Sequence, residues 1–295
     1  MSRSPLLQLA DQGQSVWLDN ISRGLLRSGG LEKLRRRGIR GVTSNPTIFE
    51  KAIASTGDYD DAIFELARKG RDAKSIFEGI ALDDIRAGAD VLRPVFDESK
   101  GGDGFISYEL LPEIADDTAR SLAEAQRLFR DIGKPNVMIK IPGTPAGIPA
   151  IRDAIAAGVN INITLLFSTK AYDRVIDAYF SGLEARVAKN QPIESLVSVA
   201  SFFVSRVDTA IDKVLEERIA KGEKALEPLL GKAAIANARL AYRIFLDRFT
   251  SERFAKLKKR GARVQRPLWA STSTKNPKYR DVIYCEELIG PDTVN

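Results

Sequence analysis

The sequence predicts an α/β chain folded as a (β/α)8 barrel, and three observations carry that expectation. Apolar, β-branched runs alternate with amphipathic segments along the whole length, the pattern of repeated βαβ units around a parallel sheet. Nearly every run ends on or near a polar residue, and in a (β/α)8 barrel those ends converge on one face. Neither GxGxxG nor GxxxxGK followed by Ser or Thr stands at a strand-to-helix turn, which weighs against a nucleotide-binding doubly wound sheet.

The predicted strands are Gln14–Asp19, Gly41–Asn45, Phe105–Glu109, Asn136–Ile141, Asn160–Leu166, Val197–Phe203 and Arg266–Ser271. Their spacing leaves room for helices. Ile76, Phe77, Ile80, Ile85, Ala89 and Leu92 make one apolar stripe, and Tyr172, Val175, Ile176 and Tyr179 make another. Thr118–Arg130 reads as a helix ended by Gly133 and Pro135, and helical tracts fill Arg206–Lys259 with breaks near Gly222 and Gly231. No Gly/Ser linker divides the chain, so residues 1–295 read as a single barrel domain. Seven strands are clear. The eighth, Asp292–Asn295, stops as it begins, so the last strand and helix are expected to be incomplete, leaving an exposed sheet edge and a less stable fold.

At 295 residues and 44% hydrophobic, the chain can bury a large core. It has one cysteine, Cys285, and no histidine. Ser–His and Cys–His catalysis and His-ligated zinc are thereby excluded, and the chemistry falls to lysine, carboxylates and hydroxyls. A single cysteine suits a reducing cytosol. The start of the chain, Met1-Ser-Arg-Ser-Pro5, lacks an apolar core of leader length, and no uncharged stretch approaches the roughly 18 residues of a membrane span. A cytoplasmic protein is expected. The net charge is +6. Its clusters, Arg35–Arg37 and Lys256, Lys258, Lys259, Arg260 and Arg263, read as helix ends followed by Gly38 and Gly261 rather than as a nucleic-acid surface.

Lys140 is the most informative residue. It interrupts the apolar run Asn136-Val-Met-Ile-Lys140-Ile-Pro-Gly-Thr144. Desolvation favours a neutral amine, the form that attacks a carbonyl. If the strand ends converge, this amine can capture a ketose as a protonated Schiff base and withdraw electrons as the C3–C4 bond breaks. Asp19 would take the proton of the C4 hydroxyl. Glu109 with Thr164 would move protons through water as the imine forms and hydrolyses. Asn45, Asn162 and Ser201 would bond substrate hydroxyls, and Arg206, Ser271 and Lys275 a phosphate. Each residue also has a structural reading. Lys140 would snorkel or pair with a carboxylate, Asp19 cap a helix, Asn45-Pro46 form a turn, and Glu109 pair with a lysine. Thr164 would be ordinary strand composition, and Arg206 a salt-bridge residue.

Six segments, in this order, resemble the transaldolase family: Ser15-Val-Trp-Leu-Asp-Asn20, Gly41-Val-Thr-Ser-Asn-Pro-Thr-Ile-Phe-Glu50, Met138-Ile-Lys-Ile-Pro-Gly-Thr144, Asn160-Ile-Asn-Ile-Thr-Leu-Leu-Phe-Ser168, Val199-Ala-Ser-Phe-Phe-Val-Ser-Arg-Val-Asp208 and Leu268-Trp-Ala-Ser-Thr-Ser-Thr-Lys-Asn-Pro277. The likeness is to the longer bacterial form, which also occurs fused to glucose-6-phosphate isomerase. It implies a barrel of the class I aldolase type and transfer of a dihydroxyacetone unit from sedoheptulose 7-phosphate to glyceraldehyde 3-phosphate in the pentose phosphate pathway. No cofactor or metal is implied. The partners implied are sugar phosphates, not nucleic acid or membrane, and monomer and homodimer are both open. By position in the motifs, Lys140 matches the Schiff-base lysine, Asp19 the acid/base, and Glu109 and Thr164 the pair that orders water. Asn45, Asn162 and Ser201 match donor contacts, and Arg206 and Ser271 phosphate contacts. Shorter members place an arginine near Lys275. Leu111 stands where the family has a small polar residue. Members also continue beyond Asn295, which leaves two alternatives, an inactive truncated barrel or the front part of a fusion.

Overall fold

The computed structural model describes residues 4–295; residues 1–3, where the stretch read for a leader begins, lie outside the described residues. Eight parallel strands close into one barrel in sequence order: β1 Gln14–Leu18, β2 Ile39–Thr43, β3 Ile106–Glu109, β4 Val137–Pro142, β5 Ile161–Leu166, β6 Ser198–Phe203, β7 Arg266–Ala270 and β8 Thr293–Val294. Helix α1, Pro5–Asp11, precedes β1. Two short helices, α2 Arg23–Arg27 and α3 Gly30–Arg37, follow it, and after β2 come α4 Pro46–Ser55, α5 Asp60–Arg68 and α6 Ala73–Glu98. The next crossovers are α7 Thr118–Ile132, α8 Gly147–Ala156 and α9 Thr169–Ala188. Then come α10 Ser205–Ala220, α11 Ala233–Phe249, α12 Glu252–Lys258 and α13 Ile283–Glu287. Among the described residues, no helix is long and apolar enough to cross a membrane.

Local chemistry sets most boundaries. The side chain of Asp117 accepts from the Arg120 N–H at 2.9 Å to start α7, and Gly133 ends it at φ 66°, a left-handed conformation that favours glycine. Arg35, Arg36 and Arg37 form the last turn of α3 and Lys256 and Lys258 that of α12, where cations complement the helix dipole. The predicted strands recur within about two residues. The largest shift is in β2, which ends at Thr43, not Asn45, because Asn45 is already the cap of α4.

The eighth strand corrects the expectation of an open edge. Thr293 and Val294 pair with Gln14 and Ser15 of β1, and Val294 also pairs with Leu268 of β7. Two backbone bonds extend the ladder, from Trp17 N to Asn295 O and from Asn295 N to Ser15 O, both 2.8 Å. Two residues suffice because β8 is locked from the side as well. Gln14 Nε2 donates to Thr293 Oγ1 and to the Leu288 carbonyl, each at 2.9 Å.

The core has two parts. The larger lies between strands and helices and contains Ile106, Val137, Ile139, Ile141, Ile161 and Ile163. The smaller fills the barrel interior with Trp17, Phe105, Met138, Val197, Val199, Leu268 and Val294. Gly41 makes room for it, since a β-carbon there would come within 2.4 Å of the Trp17 ring.

Candidate active site

The strand period of two decides what stands above the apolar plug. Two residues beyond Trp17, Phe105, Met138 and Val199 come Asp19, Ser107, Lys140 and Ser201 on the same inward parity. Glu109 follows two residues after Ser107. The register sets Glu109 opposite Lys140, Lys140 opposite Asn162, and Thr164 opposite Pro142. A layer that is apolar below becomes polar at the C-terminal mouth, where barrel active sites lie.

Lys140 points into this layer. Its Nζ pairs with Glu109 Oε2 at 2.9 Å and donates to the Ser44 carbonyl at 3.0 Å, with side-chain exposures of 8% for Lys140 and 16% for Glu109. The structural reading that Lys140 and Glu109 would each pair with an opposite charge is met, and the partners are each other. Such a pair keeps an amine next to an acceptor for its proton while both stay inside the mouth.

Asp19 caps no helix, because Ser22 caps α2. Its Oδ1 accepts from Thr43 Oγ1 at 2.6 Å. Thr43 and Ser44 are neighbours at the end of β2, so one short segment touches both Asp19 and Lys140. On the other side of the lysine, Asn162 Nδ2 donates to Ser107 Oγ at 3.0 Å and Asn162 Oδ1 accepts from Ser201 Oγ at 2.7 Å. This buried chain crosses β3, β5 and β6. Thr164 is buried beside it, and the β5–β6 register shifts just beyond, where Leu165 adopts φ 58°. Bulges of this kind re-aim side chains near sites.

The remaining predicted residues sit at the rim. Asn45 Oδ1 accepts from the Ile48 N–H at 2.9 Å, so Asn45 caps α4 rather than turning the chain with Pro46, and only its Nδ2 end is left for a ligand. Ser271 takes φ 58° at the end of β7; its carbonyl accepts from Ser205 N, and the two hydroxyls lie 3.0 Å apart. The exposed Arg206 stacks over the Phe203 ring, with its Cζ 4.9 Å from the centroid, and forms no ion pair among the described residues. Lys275 is not joined to either of them. Its amine donates to Ser273 Oγ at 2.7 Å, and it lines a cavity of about 400 Å³ between α10 and the loop after β7.

Sequence reasoning missed Thr43, Ser44, Ser107 and Ser205. Ser107 was accessible from parity, lying two residues before Glu109. Ser44 was not, because it acts through its main-chain carbonyl. A second cavity of about 380 Å³, lined by Lys74, Glu78, Leu111 and Arg127, lies beside α6 and α7 and does not include Lys140. Among the described residues, no group of three or more Cys, Asp or Glu side chains is placed to hold a metal ion.

Fold and site together define a (β/α)8 barrel built around one buried lysine–carboxylate pair at its C-terminal mouth. A model of the transaldolase/fructose-6-phosphate aldolase family matches residues 16–294. Among curated relatives, the protein named transaldolase from Trichodesmium erythraeum is 48% identical over 301 residues, covering 100% of this chain and 79% of its own. Transaldolase 2 of Nostoc sp. is 48% identical over 302 residues with the same coverage. Transaldolase 1 of Streptomyces coelicolor is 49% identical over 291 residues, covering 98% of this chain and 76% of its own. The chain belongs to the transaldolase/fructose-6-phosphate aldolase family and is an enzyme of that family.

Proposed function

We propose that the enzyme is a transaldolase that moves a dihydroxyacetone unit from sedoheptulose 7-phosphate to glyceraldehyde 3-phosphate through an imine on Lys140. The observation that carries this reading is the Lys140 amine, inward and buried, between the Glu109 carboxylate and the Ser44 carbonyl.

The ammonium first gives a proton to Glu109, by way of water, and the free amine attacks C2 of the ketose. Loss of water leaves an iminium, with Glu109 and Thr164 handling the protons. The C3–C4 electrons flow into the iminium as Asp19 takes the C4 hydroxyl proton, so erythrose 4-phosphate leaves and an enamine stays on Lys140. The enamine carbon then attacks the aldehyde of glyceraldehyde 3-phosphate, and Asp19 returns the proton to the new alkoxide. Hydrolysis frees fructose 6-phosphate and the amine. Asn162, Ser201 and the Nδ2 of Asn45 hold donor hydroxyls without adding charge. Arg206, Ser271 and Lys275 hold the phosphate end. Within the pentose phosphate pathway this reaction exchanges carbon units between sugar phosphates.

The iminium is the electron sink in this sequence, so no metal or cofactor enters it, and turnover should be unchanged by EDTA. A coupled assay with fructose 6-phosphate separates transfer from simple cleavage. Product glyceraldehyde 3-phosphate should appear at a rate that depends on added erythrose 4-phosphate. Equal rates with and without that acceptor, together with release of free dihydroxyacetone, would contradict the transferase reading.

A further inference from the structure

Helix α10 carries Arg206 next to a face made of Ser205, Asp208 and Asp212, which are spaced i, i+3 and i+7. All three are buried, and all three bind the chain that follows β7 or the approach to α11. Ser205 holds Ser271 through its N–H and hydroxyl. Asp208 accepts from Tyr284 OH at 2.7 Å with one oxygen and from the Ala234 N–H at 2.7 Å with the other. Asp212 repeats the arrangement one turn on, with Tyr279 OH at 2.7 Å and the Gly231 N–H at 3.0 Å.

The second latch is shaped as well as bonded. Gly231 has φ 68°, and a β-carbon there would lie 2.8 Å from the Tyr279 ring, so the phenol packs directly on main chain. Tyr279 and Lys275 line the same cavity against α10. Burial pushes the Asp208 carboxyl above its usual range, while the Ala234 N–H and the Tyr284 hydroxyl draw it back. An apolar face would fasten a loop with less desolvation. Two carboxylates that each fix a phenol and a main-chain N–H hold it in one orientation.

We propose that Asp208 with Tyr284 and Asp212 with Tyr279 are positioning residues that latch the loop after β7 and the α13 that follows it to α10, holding Ser271 and Lys275 in register with Arg206 for the phosphate end of the substrate. This inference rests on the assignment of Arg206, Ser271 and Lys275 to phosphate.

The test uses Tyr279→Phe and Tyr284→Phe, each lacking one oxygen atom, with Asp212→Asn beside them. For the Tyr variants, KM for fructose 6-phosphate and the inhibition constant of inorganic phosphate should rise together by about 5- to 20-fold, while kcat changes by less than about twofold. Borohydride trapping of dihydroxyacetone, which has no phosphate, should be unchanged on Lys140. A fall in kcat and in trapping with KM preserved would overturn the proposal, as would unaltered KM and phosphate inhibition in both folded Tyr variants. Arg206→Ala separates the two layers of inference. If it raises both constants and the Tyr variants do not, the latch alone fails. If Arg206→Ala leaves both constants untouched, the phosphate assignment fails and the latch proposal falls with it. If Asp212→Asn does not fold, the Tyr variants decide the matter.

Discussion

At the scale of single residues, the site is a small set of side chains whose roles follow from their neighbours. The placement of Lys140 at the barrel mouth was legible because it interrupts an apolar β-branched run just before Pro142-Gly143, and that of Glu109 because it ends a strand. Their pairing at 2.9 Å is a register fact that no local sequence signal contains. Ser107 was missed although its parity with Glu109 was there to be read, because Ile106-Ser-Tyr-Glu109 is ordinary strand composition. Asp19 is the residue whose role is easiest to isolate. Its bond to Thr43 engages only one of its two oxygens, and in the proposed reaction the other would take the C4 hydroxyl proton. Asp19→Ala should still form the imine with fructose 6-phosphate but cleave it more slowly by roughly 10²–10⁴, as single-turnover kinetics would measure. Cleavage at the wild-type rate would remove Asp19 from the proton step.

At the scale of elements, helices were read more fully than strand ends. Thr118–Arg130 recurs as Thr118–Ile132 with its Gly133 stop, since caps and glycines are local signals. The end of β2 was misplaced because Asn45 suits both a strand end and a helix cap, and the cap won. Contacts between elements were not legible at all. Arg23 of α2 bonds Asp84 of α6 at 3.0 Å, and Tyr59 donates to the same carboxylate at 2.9 Å. All three are buried. Asp84→Ala leaves Arg23 buried without its partner, a change expected to cost about 3–5 kcal/mol, read from urea unfolding. Burial raises the Asp84 carboxyl above its ordinary value of 3.8 against the pull of Arg23. The folded protein therefore binds that proton more tightly than the unfolded chain. The Asp84 contribution to stability should decline as pH rises from 3.8 through the raised folded value, then level off. Asp84→Ala should flatten that part of the stability–pH curve, although Asp208, shifted the same way, keeps some slope. An unflattened curve would contradict the assignment.

At the scale of the whole molecule, closure of the ring turns dispersed strand ends into one site. Seven strands were legible because each spans four to six residues, long enough to show strand composition and a polar end. The eighth was not, because its two residues carry no period, and its pairing depends on Gln14 and Leu268 far away in sequence. That short strand returns the sheet to β1, so that β1 contributes Asp19 to the same mouth that receives Lys140 from β4. The apolar plug of Trp17, Phe105 and Met138 below them keeps the lysine on the mouth side of the interior. All of this converges on one amine, and borohydride reduction with fructose 6-phosphate followed by mass mapping tests it most directly. A stable adduct should appear on Lys140 and be lost in Lys140→Met. An adduct on any other lysine, or an adduct that survives that substitution, would contradict the account.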